Sequence, residues 1–146
     1  MIDKTILLIE DNADDEALTR RALKKNHIMN TVLVARDGAE ALDYLLGTGI
    51  HAEKAYDLPD VILLDLNLPK INGHEVLQQI RRHERTKLLP VVILTTSNED
   101  EDKVKSYCNG ANSYVRKPVS FEQFTEAIGQ LGIYWLQLNE IPRPQK

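Results

Sequence analysis

The sequence predicts an α/β domain built as a doubly wound, five-stranded parallel sheet with helices on both faces. Three observations carry that expectation. Short runs rich in Ile, Val and Leu recur along the chain, and they are continuous rather than alternating, as strands covered on both faces require. Between the runs lie stretches whose apolar residues are spaced three or four apart, the period of a helix. The length of 146 residues with 42% hydrophobic content suits one core and is short for two.

The first strand is predicted at Ile6–Ile9, followed by a helix carrying Leu18 and Ala22. The second, Val32–Val34, precedes a helix with Ala41, Leu42 and Leu45, which Asp37 caps ahead of Gly38. A long connection from Gly47 to Pro59 follows, expected to lie over the surface or to touch a partner. The third strand, Val61–Leu64, leads to a helix with Val76, Leu77 and Ile80. The fourth, Val91–Leu94, leads to one with Val104 and Cys108, for which Asn98 is the expected cap. A weaker fifth strand, Ser113–Val115, precedes a helix with Phe124, Ile128 and Leu131 that opens on the capping box of Ser120 and Gln123. Beyond Gly132 the apolar rhythm continues through Trp135, Leu138 and Ile141 until Pro142 and Pro144 stop any helix. Residues 1–131 therefore form the domain, and 132–146 an extension available for a dimer or partner contact. Parallel neighbours need right-handed crossovers, so a ligand crevice is expected at the carboxyl ends of the strands, where strand order reverses.

Composition narrows the function. A net charge of −4, a pI near 5.6 and scattered Lys and Arg residues create no basic field of the kind nucleic acid requires. The stretch Arg81, Arg82, His83, Arg85 and Lys87 reads as the solvated end of a helix, where cations oppose the dipole. Cys108, the single cysteine, has no disulfide partner within the chain and reads as a small buried hydrophobe in a reducing, cytoplasmic setting. No basic leader and no window of membrane-spanning length occurs, so neither export nor membrane insertion is expected.

The residues that follow the apolar runs carry the chemistry. The first run ends in Glu10 and Asp11, the third in Asp65, the fourth in Thr95, and the fifth is followed by Arg116, Lys117 and Pro118. With strand order reversing beside the first strand, the three carboxylates converge, with Thr95 and Lys117 alongside. Ionised carboxylates so close together raise one another's pKa unless a cation joins them. Mg²⁺ is a hard ion held by one or two carboxylates while its other positions serve water and phosphate oxygens. Asp65 is then the nucleophile for phosphoryl transfer, since a carboxylate can form an acyl phosphate. Asp11, with Glu10 directly or through water, holds the metal, and the backbone carbonyl of Asn67 is a further neutral ligand. Lys117 pairs with one phosphoryl oxygen and the Thr95 hydroxyl donates to another. A cis bond between Lys117 and Pro118 would aim the lysine into the crevice.

Glu10-Asp11, the run Leu63 to Pro69 around Asp65 followed by Gly73, Leu94-Thr95, and Gly110-Ala111 through Tyr114 to Lys117-Pro118 resemble the receiver domain of two-component response regulators, over roughly Lys4 to Leu131. The resemblance implies a flavodoxin-like (βα)5 fold with strand order 2-1-3-4-5. It implies Asp65 as phosphoacceptor, Glu10 and Asp11 as the acidic pair, Thr95 as switch hydroxyl, Lys117 as phosphate partner and Tyr114 as the aromatic that follows phosphorylation. Trp135-Leu136 and the tail to Ile141-Pro142 are similar to small regulators that partner bacterial phytochrome kinases. The implied partner is a sensor histidine kinase, and a homodimer through the fourth helix, fifth strand and fifth helix or through the tail is expected.

Plainer readings stand beside these. A lone Asp after a strand is most often a turn residue, Glu10 and Asp11 could cap the first helix, and Tyr114 is foremost a half-buried strand aromatic. Five positions in one order around one crevice favour the functional reading. His27, His51, His74 and His83 have no metal-ligand spacing. A phosphatase working through an aspartyl phosphate would need a general acid two residues after Asp65, where Asn67 stands. The expected role is therefore a stoichiometric phosphoacceptor with slow loss of its phosphate, not an enzyme, and a scaffold that is never phosphorylated is the least economical alternative.

Overall fold

The computed structural model describes residues 4–47, 58–118, 120–140 and 142. Most of the predicted 47–59 connection, Ile141 and Pro144 lie outside them. Strands β1 (Thr5–Ile9), β2 (Thr31–Ala35), β3 (Val61–Leu64), β4 (Val91–Thr95) and β5 (Ser113–Arg116) alternate with helices α1 (Ala13–Lys25), α2 (Gly38–Leu46), α3 (Gly73–Arg82), α4 (Asp100–Cys108) and α5 (Phe121–Gly132). A π-helical segment, Ile133–Leu138, continues from α5. All strand pairs are parallel, in the order β2-β1-β3-β4-β5. This is the doubly wound, flavodoxin-like arrangement that the continuous apolar runs predict.

The period-two alternation of the strands divides the core in two. Leu7, Ile9, Ile62, Leu64 and Ile93 face Ala41 and Leu45 of α2 and Val76, Leu77 and Ile80 of α3. Ile6, Leu8, Val61, Leu63, Val92 and Leu94 face Ala22 and Leu23 of α1, Phe124 and Ile128 of α5, and Trp135 and Leu136 of the π-helical segment. Trp135 and Leu136 are 9% and 7% exposed, so the extension is built into the second core layer. Full burial of a Leu or Ile is worth about 1.5–3 kcal/mol against exposure, which makes this interior the fixed frame on which the strand ends are held.

Side chains set the helix starts. Asn12, Asp37, Asn72 and Ser120 accept from the backbone N–H groups of Asp15, Glu40, Glu75 and Gln123 at 3.0, 2.7, 3.0 and 3.1 Å. Helix α4 departs from expectation. Its cap position is Glu99, which makes no side-chain capping bond, and Asn98 instead accepts from Lys103 Nζ at 3.0 Å. The helix starts one residue later than the sequence suggests, and Ser97 Oγ accepts the Glu99 N–H at 3.3 Å. Cys108 is exposed, because α4 buries Ser106 against the body and turns Val104 and Cys108 outward. Arg81 is also not the solvated cation expected. Its guanidinium donates to the carbonyls of Gly110 at 2.9 Å and Leu89 at 2.7 Å and to Asn112 Oδ1 at 2.9 Å, tying α3 to the approaches of β4 and β5.

Gly73 positions the loop after β3. A Cβ on Gly73 would lie 2.5 Å from the backbone oxygen of Asp65 and 2.6 Å from Leu66 Cα, so only glycine lets α3 begin against the end of β3.

Candidate functional site

The parallel register brings the strand ends together at the reversal of strand order. Ile9 pairs with both Ala35 and Leu64, Leu64 with Ile93, and Thr95 with Arg116. The backbone N–H of Glu10 donates to Ala35 O at 2.9 Å, that of Asp65 to Ile9 O at 3.1 Å, and that of Lys117 to Thr95 O at 2.6 Å. Glu10, Asp65, Thr95 and Lys117 therefore leave four adjacent strands at one level.

Asp65 is held at both carboxylate oxygens. Oδ1 accepts from Thr95 Oγ1 at 3.1 Å and from the backbone N–H of Asn67 at 3.0 Å, and Oδ2 accepts from Lys117 Nζ at 3.1 Å. The lysine also donates to Glu10 Oε1 at 2.5 Å and Asp15 Oδ2 at 3.0 Å. Lys117 and Glu10 side chains are 7% and 2% exposed, so these charges meet where water screens little. Burial pushes the Glu10 carboxyl up to about 7, the Lys117 bond opposing and the charge of Asp65 reinforcing the rise. Burial pulls the Lys117 ammonium down, but its bond to Glu10 and the charges of Asp65 and Glu10 outweigh that and hold it above its ordinary range.

One expectation is corrected here. Among the described residues no peptide bond is cis, so Lys117–Pro118 is trans. The β5 register and the Lys117 N–H bond to Thr95 O already aim the side chain at Asp65. Asp11, next in the chain after Glu10, is exposed, and the carboxylates whose ligand oxygens all lie within 4.8 Å of one another are Glu10, Asp15 and Asp65. Asp15 went unmarked by the reading of strand ends because it sits in the first turn of α1. The legible signal was Asn12 as cap, which turns the third helical residue back toward the end of β1. Three carboxylates face one ammonium, an imbalance that suits a divalent cation.

Tyr114, half-buried on β5, donates its hydroxyl to Ser97 O at 3.0 Å, and burial pushes its phenol up. Asn67 is exposed, its N–H on Asp65.

Residues 6–129 match the response regulator receiver domain family. The chain belongs to that family. The receiver is 45% identical over 139 residues to the probable methanogenesis regulatory protein FilR2 of Methanothrix harundinacea (strain 6Ac), covering 95% of this chain and 88% of that protein. It is 35% identical to response regulator Rcp1 of Synechocystis sp. (strain ATCC 27184 / PCC 6803 / Kazusa), covering 95% and 93%. A crystal structure of the Mn(2+)-bound form of Rcp1 aligns with a TM-score of 0.87 and 36% identity, over 95% of this chain and 99% of that one. The crystal structure of the phosphorylated cyanobacterial phytochrome response regulator RcpA aligns with a TM-score of 0.90 and 38% identity, over 97% and 99%. The receiver's acidic pocket is compatible with a divalent metal and with aspartate phosphorylation. No helix among the described residues is long and apolar enough to cross a membrane.

Proposed function

We propose that the receiver acts as a stand-alone response regulator in which Asp65 accepts a phosphoryl group from the phosphohistidine of a sensor histidine kinase. The observation that carries this reading is the Asp65 carboxylate at the reversal of strand order, with Thr95 and the Asn67 N–H on one oxygen and Lys117 on the other. In the transfer a carboxylate oxygen of Asp65 attacks phosphorus in line, an O–P bond forms as the N–P bond to histidine breaks, and the departing imidazole nitrogen takes up a proton. Lys117 and the Thr95 hydroxyl neutralise and orient the phosphoryl oxygens. Mg²⁺, when bound, offsets the negative charge that gathers on the transferring group. Glu10, Asp11, Asp65 and the Asn67 carbonyl are the residues to hold it, with Asp15 beside them. The function is that of a phosphoacceptor that loses its phosphate slowly, and Asn67 in place of a second acid argues against a turnover phosphatase.

Residues 1–131 serve as the receiver and 132–146 as an extension. The output is a protein-binding surface, in a cytoplasmic protein without nucleic-acid or membrane partners. Thr95 and Tyr114 act as the switch. A homodimer through the α4-β5-α5 face or the extension is supported by exposed Val104 and Tyr107 on α4 and Ile133, Tyr134 and Leu138 on the extension. The likeness to the phytochrome response regulator RcpA supports a phytochrome-type kinase as partner.

Intact mass after incubation with acetyl phosphate tests the chemistry. One phosphoryl adduct that requires Mg²⁺ and is lost in Asp65→Asn is expected. An unmodified, folded protein would favour a scaffold role, and release of phosphate over many turnovers would favour an enzyme.

A further inference from the structure

His74 follows Gly73 at the start of α3, and its ring reaches the switch region through Asp102 of α4. Nε2 lies 3.1 Å from Asp102 Oδ1 on α4, and Asp102 Oδ2 accepts the Ser97 hydroxyl at 2.6 Å. Ser97 is bonded in three further directions. Its carbonyl accepts Tyr114 OH at 3.0 Å, its N–H lies 3.4 Å from Thr95 Oγ1, and its Oγ accepts the Glu99 N–H at 3.3 Å. A continuous path thus runs from Asp65 through Thr95 and Ser97 to Asp102 and His74.

The chemistry of the pair fixes its direction. The Ser97 hydroxyl first, and His74 second, hold the Asp102 carboxyl below its ordinary range, so it is an ionised acceptor and the ring carries its hydrogen on Nε2. The other nitrogen, Nδ1, is buried and without a hydrogen-bond partner. A buried unpaired polar atom is unfavourable, and the ring tolerates it while Nε2 stays on Asp102.

We propose that His74 is a positioning residue for the phosphorylation switch: by fixing Asp102 as the acceptor for Ser97, it holds the 96–99 segment where Thr95 bonds the free Asp65 carboxylate, and so restrains activation. This rests on Asp65 being the phosphoacceptor. To donate to an oxygen of a group carried on Asp65, the Thr95 hydroxyl must leave Asp65 Oδ1, and the chain at 95–97 moves with it. Ser97 then draws away from the Asp102 carboxylate, whose other oxygen is held by His74 of α3. Loss of the anchor weakens the resting arrangement and leaves the phosphoryl site intact, so the equilibrium moves toward the active arrangement.

The test is a titration of the full chain with beryllofluoride, an acyl phosphate mimic, in the presence of Mg²⁺, followed through the amide resonances of Thr95 and Ser97. His74→Leu is expected to bind beryllofluoride roughly five- to tenfold tighter, the share of a charge-assisted bond lost from one state only. His74→Gln, whose amide N–H reaches Asp102 as Nε2 does, should stay within about twofold of wild type. Ser97→Ala removes the same bond from the loop side and should reproduce the gain even if His74→Leu fails to fold. The double variant should bind no tighter than either single one. Wild-type affinity in the folded His74→Leu protein or in Ser97→Ala, or an equal gain in His74→Gln, would overturn the proposal. Absence of beryllofluoride binding by the wild type would overturn the Asp65 reading, and this inference with it.

Discussion

Replacing Lys117 by Met exposes the electrostatic logic of the site most directly. The ammonium lies 2.5, 3.0 and 3.1 Å from Glu10, Asp15 and Asp65, and its side chain is 7% exposed. At an effective dielectric constant of about 20, unit charges about 3 Å apart attract by roughly 5 kcal/mol, offset by the cost of desolvating both partners. Leaving buried carboxylates without their cation costs about 3–5 kcal/mol, and partial exposure of Asp15 puts the expectation near about 3 kcal/mol. In urea, with a slope of about 2 kcal/mol/M, the unfolding midpoint should fall by about 1.5 M at pH 8 in EDTA. Two dependences identify the cause. Glu10, already pushed up to about 7, rises further without Lys117. A raised folded-state carboxyl stabilises fully below the unfolded value and loses that contribution as pH rises through the folded value, so the deficit of Lys117→Met should shrink as pH falls from 8 toward 5. Mg²⁺ should stabilise the variant more than the wild type, because it supplies the missing positive charge. A loss below about 1 kcal/mol, or one indifferent to both pH and Mg²⁺, would refute this account of Lys117 as the cation that makes the acidic group tolerable.

Three further outcomes are expected. Gly73→Ala forces a Cβ to within 2.5 Å of the Asp65 backbone oxygen, and should cost about 1–3 kcal/mol in urea while slowing adduct formation from acetyl phosphate. Trp135→Ala empties part of the core layer shared with Ile6, Val61 and Leu63, and should cost about 3–5 kcal/mol in the same assay, whereas an extension merely resting on the surface would cost far less. The Asp102 carboxyl, held low by Ser97 and His74, contributes stability that is present above the unfolded carboxylate value and lost as pH falls through its lowered one. Asp102→Asn should therefore flatten the acid limb of thermal melting, and an unchanged limb would show that the carboxylate is not paired in solution.

The fold was legible because its strands are read by a rule of burial. Val61–Leu64 and Val91–Leu94 are apolar at every position, which only a strand covered on both faces tolerates, and all these residues are buried. The crevice followed from topology, since the residue after each buried run must emerge at the same sheet edge. What escaped was whatever depended on which way a helix turns. Asp15 lies on a helix, so its convergence with Glu10 and Asp65 is set by the cap at Asn12 rather than by the strand pattern. Val104 and Cys108 share a helical spacing that looks like a core stripe, yet α4 makes its closest approach through Ser106. Arg81 stood among other cations in sequence and looked solvated, while its planar group is spent on four backbone or amide acceptors across the α3 seam. Ser97, Asp102 and His74 carry no motif, and only their side-chain bonds join them to Thr95.

The same packing that fixes the site also decides where a signal can leave it. Leu8, Ile9, Leu63 and Leu64 are at most 4% exposed, and close-packed strands of this kind do not shift to accommodate a new group at their ends. On the α1 and α5 side Phe124, Ile128, Trp135 and Leu136 close the second core layer, and Asn26 Nδ2 of the α1 cap donates to Thr125 O of α5 at 2.8 Å. That side is braced. The segment between β4 and α4 is held by single polar bonds. Thr95 meets Asp65, Ser97 meets Asp102, and Tyr114 meets Ser97, each through one hydroxyl. A hydroxyl bond is worth about 1 kcal/mol net and can be exchanged for another at little cost, whereas a buried leucine cannot. A group added to Asp65 recruits the Thr95 hydroxyl and Lys117 from their resting partners, and the displacement runs along the bonds that are cheap to exchange. It therefore reaches α4 and β5, where Val104 and Tyr107 are exposed, before it could reach the α1 and α5 face.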